Sequence, residues 1–166
     1  MKTDKQRPAP LIPTSSHPVA PQRIVIVGAS ARAMAESAAR AGCEVFAADL
    51  FGDRDLLAVA REFRHALAYP AGLPGLTAGF PAAPWLFTGA LENHPDILAA
   101  IARDRPLAGP SVPAVRWVRD PVRLREIARQ AGLPVPDTRG DPAGLPTDGS
   151  WLLKPRASAG GHGIRS

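Results

Sequence analysis

The sequence is poor in cysteine and in aromatic residues, and it has no long apolar run. Its one cysteine, Cys43, excludes an intramolecular disulfide framework and makes a reducing compartment the expectation. Aromatic residues form 5% of the chain, too few for the stacking platforms of single-strand nucleic-acid binding. No apolar run approaches the roughly 20 residues that cross a membrane. We therefore expect a soluble, cytoplasmic protein whose partners are neither nucleic acids nor membranes.

Several catalytic signatures are also missing. The sequence has no Walker A motif, so a P-loop is excluded as the source of phosphate binding. It also has neither the G-x-S-x-G elbow of α/β-hydrolases nor the H-E-x-x-H motif of zincins. His94 has no second His or Cys at ligand spacing, so no metal site is predicted in this chain. The net charge of +5 comes from basic residues interleaved with acidic ones, typical of a solvated surface. The net charge leaves a basic nucleic-acid-associated protein as an alternative function, which we rank last.

The first part of the chain predicts a tail followed by a βαβ unit. Residues 1–21 combine Pro, Ser and Thr with scattered basic residues and lack a signal-peptide apolar core, so we expect a disordered tail. Residues 23–27, which are β-branched after Arg23, predict a buried strand. A helix over 31–41, capped by Ser30, and a strand over 44–48 follow. Two parallel strands with a right-handed crossover are expected.

The remaining elements of the first part are shorter. The pattern predicts a helix from Asp53 or Asp55 to about Phe63, a weak strand over 66–69, and a loop rich in Pro and Gly over 70–84. A strand over 85–88 and a helix from Pro95 or Asp96 through Arg103 complete it. These elements predict a small open α/β sheet with ligand sites at the carboxyl ends of its strands.

A second unit begins near Val115. Asp120 as N-cap and Pro121 at the first helical position start a helix that Gly132 ends. A short apolar strand over 151–154 delivers Lys154, Pro155 follows, and Ile164 begins a returning strand.

Lys154 and the glycines that follow it form the first candidate site. Gly160, Gly161 and Gly163 are three glycines within four residues. Such a loop lets backbone N–H groups approach phosphate oxygens, while the lysine supplies a point charge. The alternative is a β-hairpin with a loose glycine turn and an exposed lysine.

Two further groups of residues lie where strands end. Gly28, Ser30 and Asp49 form a degenerate dinucleotide fingerprint, which predicts either NAD binding or, as we favour, a structural turn. Glu92, Asn93 and His94 follow the strand over 85–88 and predict either a substrate contact or helix capping by Asn93 or Asp96.

The order of these segments resembles the ATP-grasp superfamily. The segments are a small Rossmann-like domain, then Asp120-Pro-Val-Arg-Leu-Arg-Glu-Ile, then Ala131-Gly-Leu-Pro-Val-Pro136, then Trp151-Leu-Leu-Lys154-Pro, then Ala159-Gly-Gly-His-Gly163. Together with Val25–Gly28 and Thr88-Gly-Ala-Leu-Glu-Asn93, they are most similar to the predicted ATP-dependent carboligase branch related to biotin carboxylase.

This resemblance implies a fold, a reaction and a set of site residues. The fold would be α/β: a Rossmann-like pre-ATP-grasp domain with a parallel sheet over residues 22–113, then an incomplete ATP-grasp α+β subdomain over 114–166. The reaction would be ATP-dependent ligation of a small-molecule carboxylate to an amine or similar nucleophile through an acylphosphate, with Mg²⁺. The implied ATP-binding residues are Lys154 on a phosphate and a lid of Ser158, Gly160, Gly161, His162 and Gly163. Weaker substrate-binding candidates are Gly28, Ser30, Glu92 and Asn93.

The resemblance also implies what this stretch does not contain. In ATP-grasp enzymes the adenine-binding hinge, the acidic and Asn ligands of Mg²⁺ and the catalytic Arg lie C-terminal to the glycine loop. We therefore expect residues 23–166 to be the N-terminal part of a ligase that is inactive alone and whose full-length form is a candidate homodimer. We expect residues 115–166 to pack weakly in isolation, because Trp151, Leu153 and Ile164 would present an uncovered apolar face.

Overall fold

One parallel β-sheet organises the part of the chain that the computed structural model describes, residues 22–166. The tail predicted for residues 1–21 lies outside that range. The strand order is β3-β2-β1-β4, and the elements within residues 22–166 are β1 (Arg23–Val27), α1 (Arg32–Arg40), β2 (Glu44–Asp49), α2 (Arg54–Val59), β3 (Ala60–His65), α3 (Leu73–Ala78), β4 (Trp85–Phe87), a 3₁₀ helix (Leu91–Asn93), α4 (Pro95–Ala102), α5 (Val112–Val118) and α6 (Pro121–Gln130). The predicted α/β class with a parallel sheet is confirmed.

Helices cover both faces of the sheet. Successive side chains of β1 point to opposite faces: Val25 and Val27 enter one apolar cluster and Ile26 enters the other. Residues of α1 and α2 pack on the Ile26 face, and residues of α3, α4 and α5 pack on the opposite face. Burial on both faces explains why residues 24–27 of β1 are an uninterrupted run of β-branched residues.

The edge strand β3 corrects the predicted secondary structure. The expected helix through about Phe63 ends at Val59, and the chain then runs as β3 beside β2. The weak strand predicted over 66–69 is wrong, because these residues form turns. Charged residues such as Arg61 and Glu62 concealed the strand. They are tolerated there because β3 is an outer strand of the sheet, where only Ala60 and Phe63 pack against an apolar cluster.

A buried arginine organises the segment rich in Pro and Gly between β3 and β4. The Arg105 side chain donates hydrogen bonds to the main-chain oxygens of Thr77, Phe80, Pro81 and Ala83. Burial lowers the pKa of its guanidinium, and the nearby Arg64 lowers it further. The guanidinium therefore replaces regular strand or helix pairing as the partner of these carbonyl groups.

The C-terminal part of the chain packs loosely. Asp120 accepts hydrogen bonds from the N–H groups of Val122 and Arg123, which confirms it as the N-cap of α6, and Gly132 ends the helix at φ 71°. The strand expected over 151–154 reduces to one antiparallel bridge between Leu153 and Arg165. Val115 is the last buried residue, and none of residues 116–166 is buried.

Candidate functional site

The carboxyl ends of β1 and β4 approach each other closely, and Gly28 makes this possible. A Cβ at Gly28 would lie 2.1 Å from Thr88 Oγ1 and 2.8 Å from Thr88 O. The Thr88 hydroxyl donates to the main-chain oxygen of Ser30 at 2.7 Å, which joins the two strand ends. The absence of a side chain at Gly28 is therefore explained by packing between strands, and the same packing places Gly28 and Ser30 at the carboxyl edge of the sheet.

Asp49 ends β2 and is fully buried. Its carboxylate accepts hydrogen bonds from the N–H groups of Ala31 at 2.8 Å and of Phe51 and Gly52 at 2.9 Å. The predicted cap by Ser30 is wrong, because α1 has no side-chain cap and the Asp49 carboxylate takes the Ala31 N–H instead. Asp49 thus holds the start of α1 and the turn after β2, and it presents no accessible oxygen to a ribose.

Three polar residues follow β4. Glu92 and Asn93 belong to the 3₁₀ helix, and His94 comes directly after it. The predicted capping of α4 is wrong, since neither Asn93 nor Asp96 makes a cap hydrogen bond there. Burial raises the pKa of the Tyr69 hydroxyl, and the nearby Glu92 carboxylate raises it further. The His94 ring meets the Tyr69 ring edge-on at 6.4 Å. Leu91, fully buried in an apolar cluster, holds this segment against the sheet, and the Asn93 side chain contacts Arg119 and Ser158 of the C-terminal part of the chain.

Lys154 and the glycine loop form a compact turn. The Leu153–Arg165 bridge closes its base, with N–H···O distances of 2.7 and 3.1 Å. Gly160, Gly161 and Gly163 all have positive φ, between 61° and 78°, a conformation that glycine adopts without strain. Ser158 Oγ donates to the His162 main-chain oxygen at 2.6 Å.

The loop borders a cleft of about 320 Å³. Of the predicted ATP-binding residues, Lys154, Ser158, Gly160 and Gly161 line it directly. His162 and Gly163 belong to the same turn but do not line the cleft. The opposite wall comes from residues at and just before the start of α6, including Val118, Arg119 and Leu124. The structure therefore brings most of the predicted phosphate-binding group together, whereas Gly28 and Ser30 remain at the sheet edge.

Arg119 is the cleft residue that sequence reasoning missed. Its guanidinium donates to the Asn93 side-chain oxygen and to the main-chain oxygens of Arg156, at 2.7 Å, and Ser158, at 3.5 Å. The Asn93 amide nitrogen also reaches Ser158 O at 3.5 Å. Nothing in the local pattern marks Arg119, because it precedes an evident N-cap among many arginines. Its neighbours become visible only when the chain is folded.

The charges around the cleft have one sign. Within the described range 22–166, neither Arg119 nor Lys154 nor Arg156 has a carboxylate within 4.0 Å. Most surface arginines elsewhere in that range, such as Arg23 and Arg64, do pair with acids. Three cations without acidic partners beside a turn of glycines provide an electrostatic environment that favours an anion.

Among residues 22–166, no three His, Cys, Asp or Glu side chains stand close enough to hold a metal ion, so these residues do not by themselves form a site for Mg²⁺. In the same range no helix is both long and apolar enough to cross a membrane.

Solved structures that share this fold include enzymes of the ATP-grasp superfamily. One is an N5-carboxyaminoimidazole ribonucleotide synthetase in an ADP complex, with 19% identity and a TM-score of 0.57 over 75% of this chain and 33% of its own. A second is the biotin carboxylase domain of a single-chain bacterial carboxylase, with 21% identity and a TM-score of 0.59 over 72% and 31% of the two chains. A third is the N5-carboxyaminoimidazole ribonucleotide synthetase of Thermotoga maritima, with 20% identity and a TM-score of 0.52 over 70% and 32%.

The ATP-grasp resemblance is therefore confirmed at the level of the fold. At these identities the likeness shows the fold alone. The chain spans about a third of the length of each of these structures. No protein-family model and no curated protein matches the sequence.

Proposed function

We propose that this chain is the N-terminal part of an ATP-grasp ligase and that its glycine loop binds the phosphates of ATP. The observation that carries the proposal is the cleft bordered by Lys154, Ser158, Gly160 and Gly161, whose nearby cations have no acidic partner among residues 22–166. The fold shared with ATP-grasp enzymes supports the same conclusion independently.

Each of these residues would have a distinct role in binding phosphate. Lys154 supplies a mobile point charge for a phosphate oxygen, and the N–H groups of Gly160 and Gly161 approach other oxygens because no Cβ intervenes. His162 and Gly163 complete the turn that shapes this lid. Phosphoryl transfer depends mainly on positioning and charge neutralisation, which is what these groups provide. Bound ATP would supply the phosphoryl group that activates a carboxylate as an acylphosphate.

The complete reaction is proposed for a whole protein of this fold. Its substrates would be a small-molecule carboxylate and an amine or similar nucleophile, bound near the sheet edge where Gly28, Ser30, Glu92 and Asn93 lie. The chain described here would supply that edge and the first phosphate-binding elements, and residues 1–166 alone would be inactive. Substrate-stimulated ADP release by this chain at rates typical of enzymes would contradict that inactivity.

Titration with Mg²⁺-ATP tests the nucleotide site. We expect Lys154→Ala to weaken binding about tenfold, because it removes one charge-assisted contact to phosphate. Arg129→Gln is the matched control: it removes an exposed cation from α6 that does not line the cleft, and it should leave affinity unchanged. Isothermal titration calorimetry on the three proteins gives the comparison.

Other ligands would overturn the proposal. Binding of NADH that is lost in Asp49→Ala, with no binding of ATP, would favour a dinucleotide-binding module. Tight, steeply salt-dependent binding of DNA or RNA would favour a nucleic-acid-associated protein. Equal ATP affinity in Lys154→Ala and the parent chain would remove Lys154 from the site.

A further inference from the structure

The glycine loop is tied to the sheet edge through the side chains of Arg119 and Asn93. Within residues 22–166, every hydrogen bond between the segment 154–164 and residues 22–120 involves Arg119 or Asn93. Two of the acceptors, Arg156 O and Ser158 O, are main-chain atoms at the start of the loop. The third acceptor, Asn93 Oδ1, belongs to the segment after β4 at the sheet edge.

These contacts outnumber the hydrogens available to make them. The contacts to Asn93, Arg156 and Ser158 all come from Arg119 Nη2, which carries two hydrogens for three acceptors. Any group that engages the Asn93 amide or the guanidinium therefore changes how firmly the loop is held. The loop needs such an external tie, because its three glycines with positive φ leave the backbone little intrinsic preference for one conformation.

We propose that Arg119 is the positioning residue of the glycine loop and that, through Asn93, it couples the loop to the carboxyl edge of the sheet. The effect of Arg119 on nucleotide binding rests on the proposed function. The docking of the loop by Arg119 does not depend on it. In a ligase of this fold, the coupling would link occupancy of the acceptor site to the position of the phosphate lid.

Limited trypsin digestion tests the docking without any nucleotide. Trypsin cleaves after lysine and arginine, but not when proline follows, so the Lys154–Pro155 bond resists it. The segment 154–164 therefore has one trypsin site, the Arg156–Ala157 bond. The carbonyl of that bond is the oxygen that Arg119 holds at 2.7 Å. Cleavage thus requires release of the contact, and its rate follows the open population when opening is fast.

We expect Arg119→Gln and Asn93→Ala each to raise the rate of cleavage at Arg156–Ala157 about fivefold, the effect of one hydrogen bond. The double variant should be cleaved more slowly than the product of the two single effects would give, because Arg119 and Asn93 belong to one hydrogen-bond network that also includes Ser158. Mass spectrometry follows this bond together with Arg40–Ala41, at the end of α1, whose rate should not change.

The control is Arg129→Gln, which removes an equally charged side chain from α6 without a hydrogen bond to the loop. It should leave cleavage at Arg156–Ala157 unchanged. Single-variant rates equal to the parent rate, or multiplicative effects in the double variant, would overturn the proposal. Melting temperatures of all variants separate loop release from a general loss of stability.

A nucleotide arm distinguishes this inference from the proposed function. With Mg²⁺-ATP present, we expect Arg119→Gln to raise the concentration that half-protects Arg156–Ala157 about fivefold, at an unchanged melting temperature. An unchanged half-protecting concentration would overturn the role of Arg119 in positioning the loop for nucleotide binding. Failure of Mg²⁺-ATP to protect the parent chain would refute the nucleotide site, while the nucleotide-free rates would still decide the docking.

Discussion

At the scale of single residues, the Asp49 carboxylate determines the geometry of the sheet edge, because backbone N–H groups donate hydrogen bonds to both of its oxygens. Asp49 is fully buried and accepts N–H groups from two different segments, Ala31 before α1 and Phe51–Gly52 after β2. A buried charge is stable only when its oxygens are satisfied, and here backbone donors satisfy them. The residue therefore fixes the geometry of the βαβ unit.

Asp49→Asn should destabilise the protein by about 2 kcal/mol, because the amide replaces one acceptor oxygen with a donor that faces a backbone N–H. Urea denaturation measures the loss. Asp53→Asn is the control: Asp53 precedes α2, makes no side-chain cap hydrogen bond, and its change should stay within about 0.5 kcal/mol. Equal losses in the two variants would contradict the role assigned to Asp49.

At the scale of elements, the contact between β1 and β4 depends on a glycine. Gly28 follows β1 where Thr88 follows β4, and their backbones approach too closely for a side chain. The Thr88–Ser30 hydrogen bond joins the same two strand ends. This contact sets the position of the segment that carries Asn93, and through it the position of the glycine loop.

Gly28→Ala is expected to cost about 2 kcal/mol, since its Cβ must displace the Thr88 backbone as well as its hydroxyl. Gly89→Ala provides a close control, because a Cβ there meets no heavy atom within 4 Å and needs no left-handed backbone. Thermal and urea unfolding of both variants give the comparison. A neutral Gly28→Ala would show that the strand ends separate easily.

Elements also show why some local patterns misled. The helix α6 was predictable because Asp120, Pro121 and Gly132 act within a few residues of the helix ends. The strand β3 was not, because its stability comes from pairing with β2 at a sheet edge rather than from its own apolar pattern. Pairing is a tertiary interaction, so Arg61 and Glu62 could stand where a buried strand would exclude them.

At the scale of the whole molecule, packing is uneven. The sheet and its helices bury two apolar clusters, whereas residues 116–166 bury no side chain and expose apolar ones such as Leu124 and Ile127 on α6. Stability that derives from burial is therefore concentrated before Arg116.

Hydrogen exchange should reveal this division. We expect the amides of α6 to exchange roughly tenfold or more faster, relative to their intrinsic rates, than those of β1 and β2, because α6 can open without disturbing the sheet. Exchange monitored by mass spectrometry on the isolated 166-residue chain makes the measurement. Cooperative unfolding of residues 115–166 with the sheet in a thermal melt would contradict this expectation.

The sequence by itself determined the βαβ start, the cap of α6 and the glycine loop after Lys154, because these depend on periodicity, capping and backbone freedom among near neighbours. Only the tertiary structure decided that Asp49 serves the backbone, that β3 is a strand and that Arg119 joins Asn93 to the loop. Apart from Phe51 and Gly52, which follow Asp49 closely, the partners in these cases lie from 15 to 39 residues away in the chain. Contacts over such separations are set by the packing of whole elements, which no local pattern encodes.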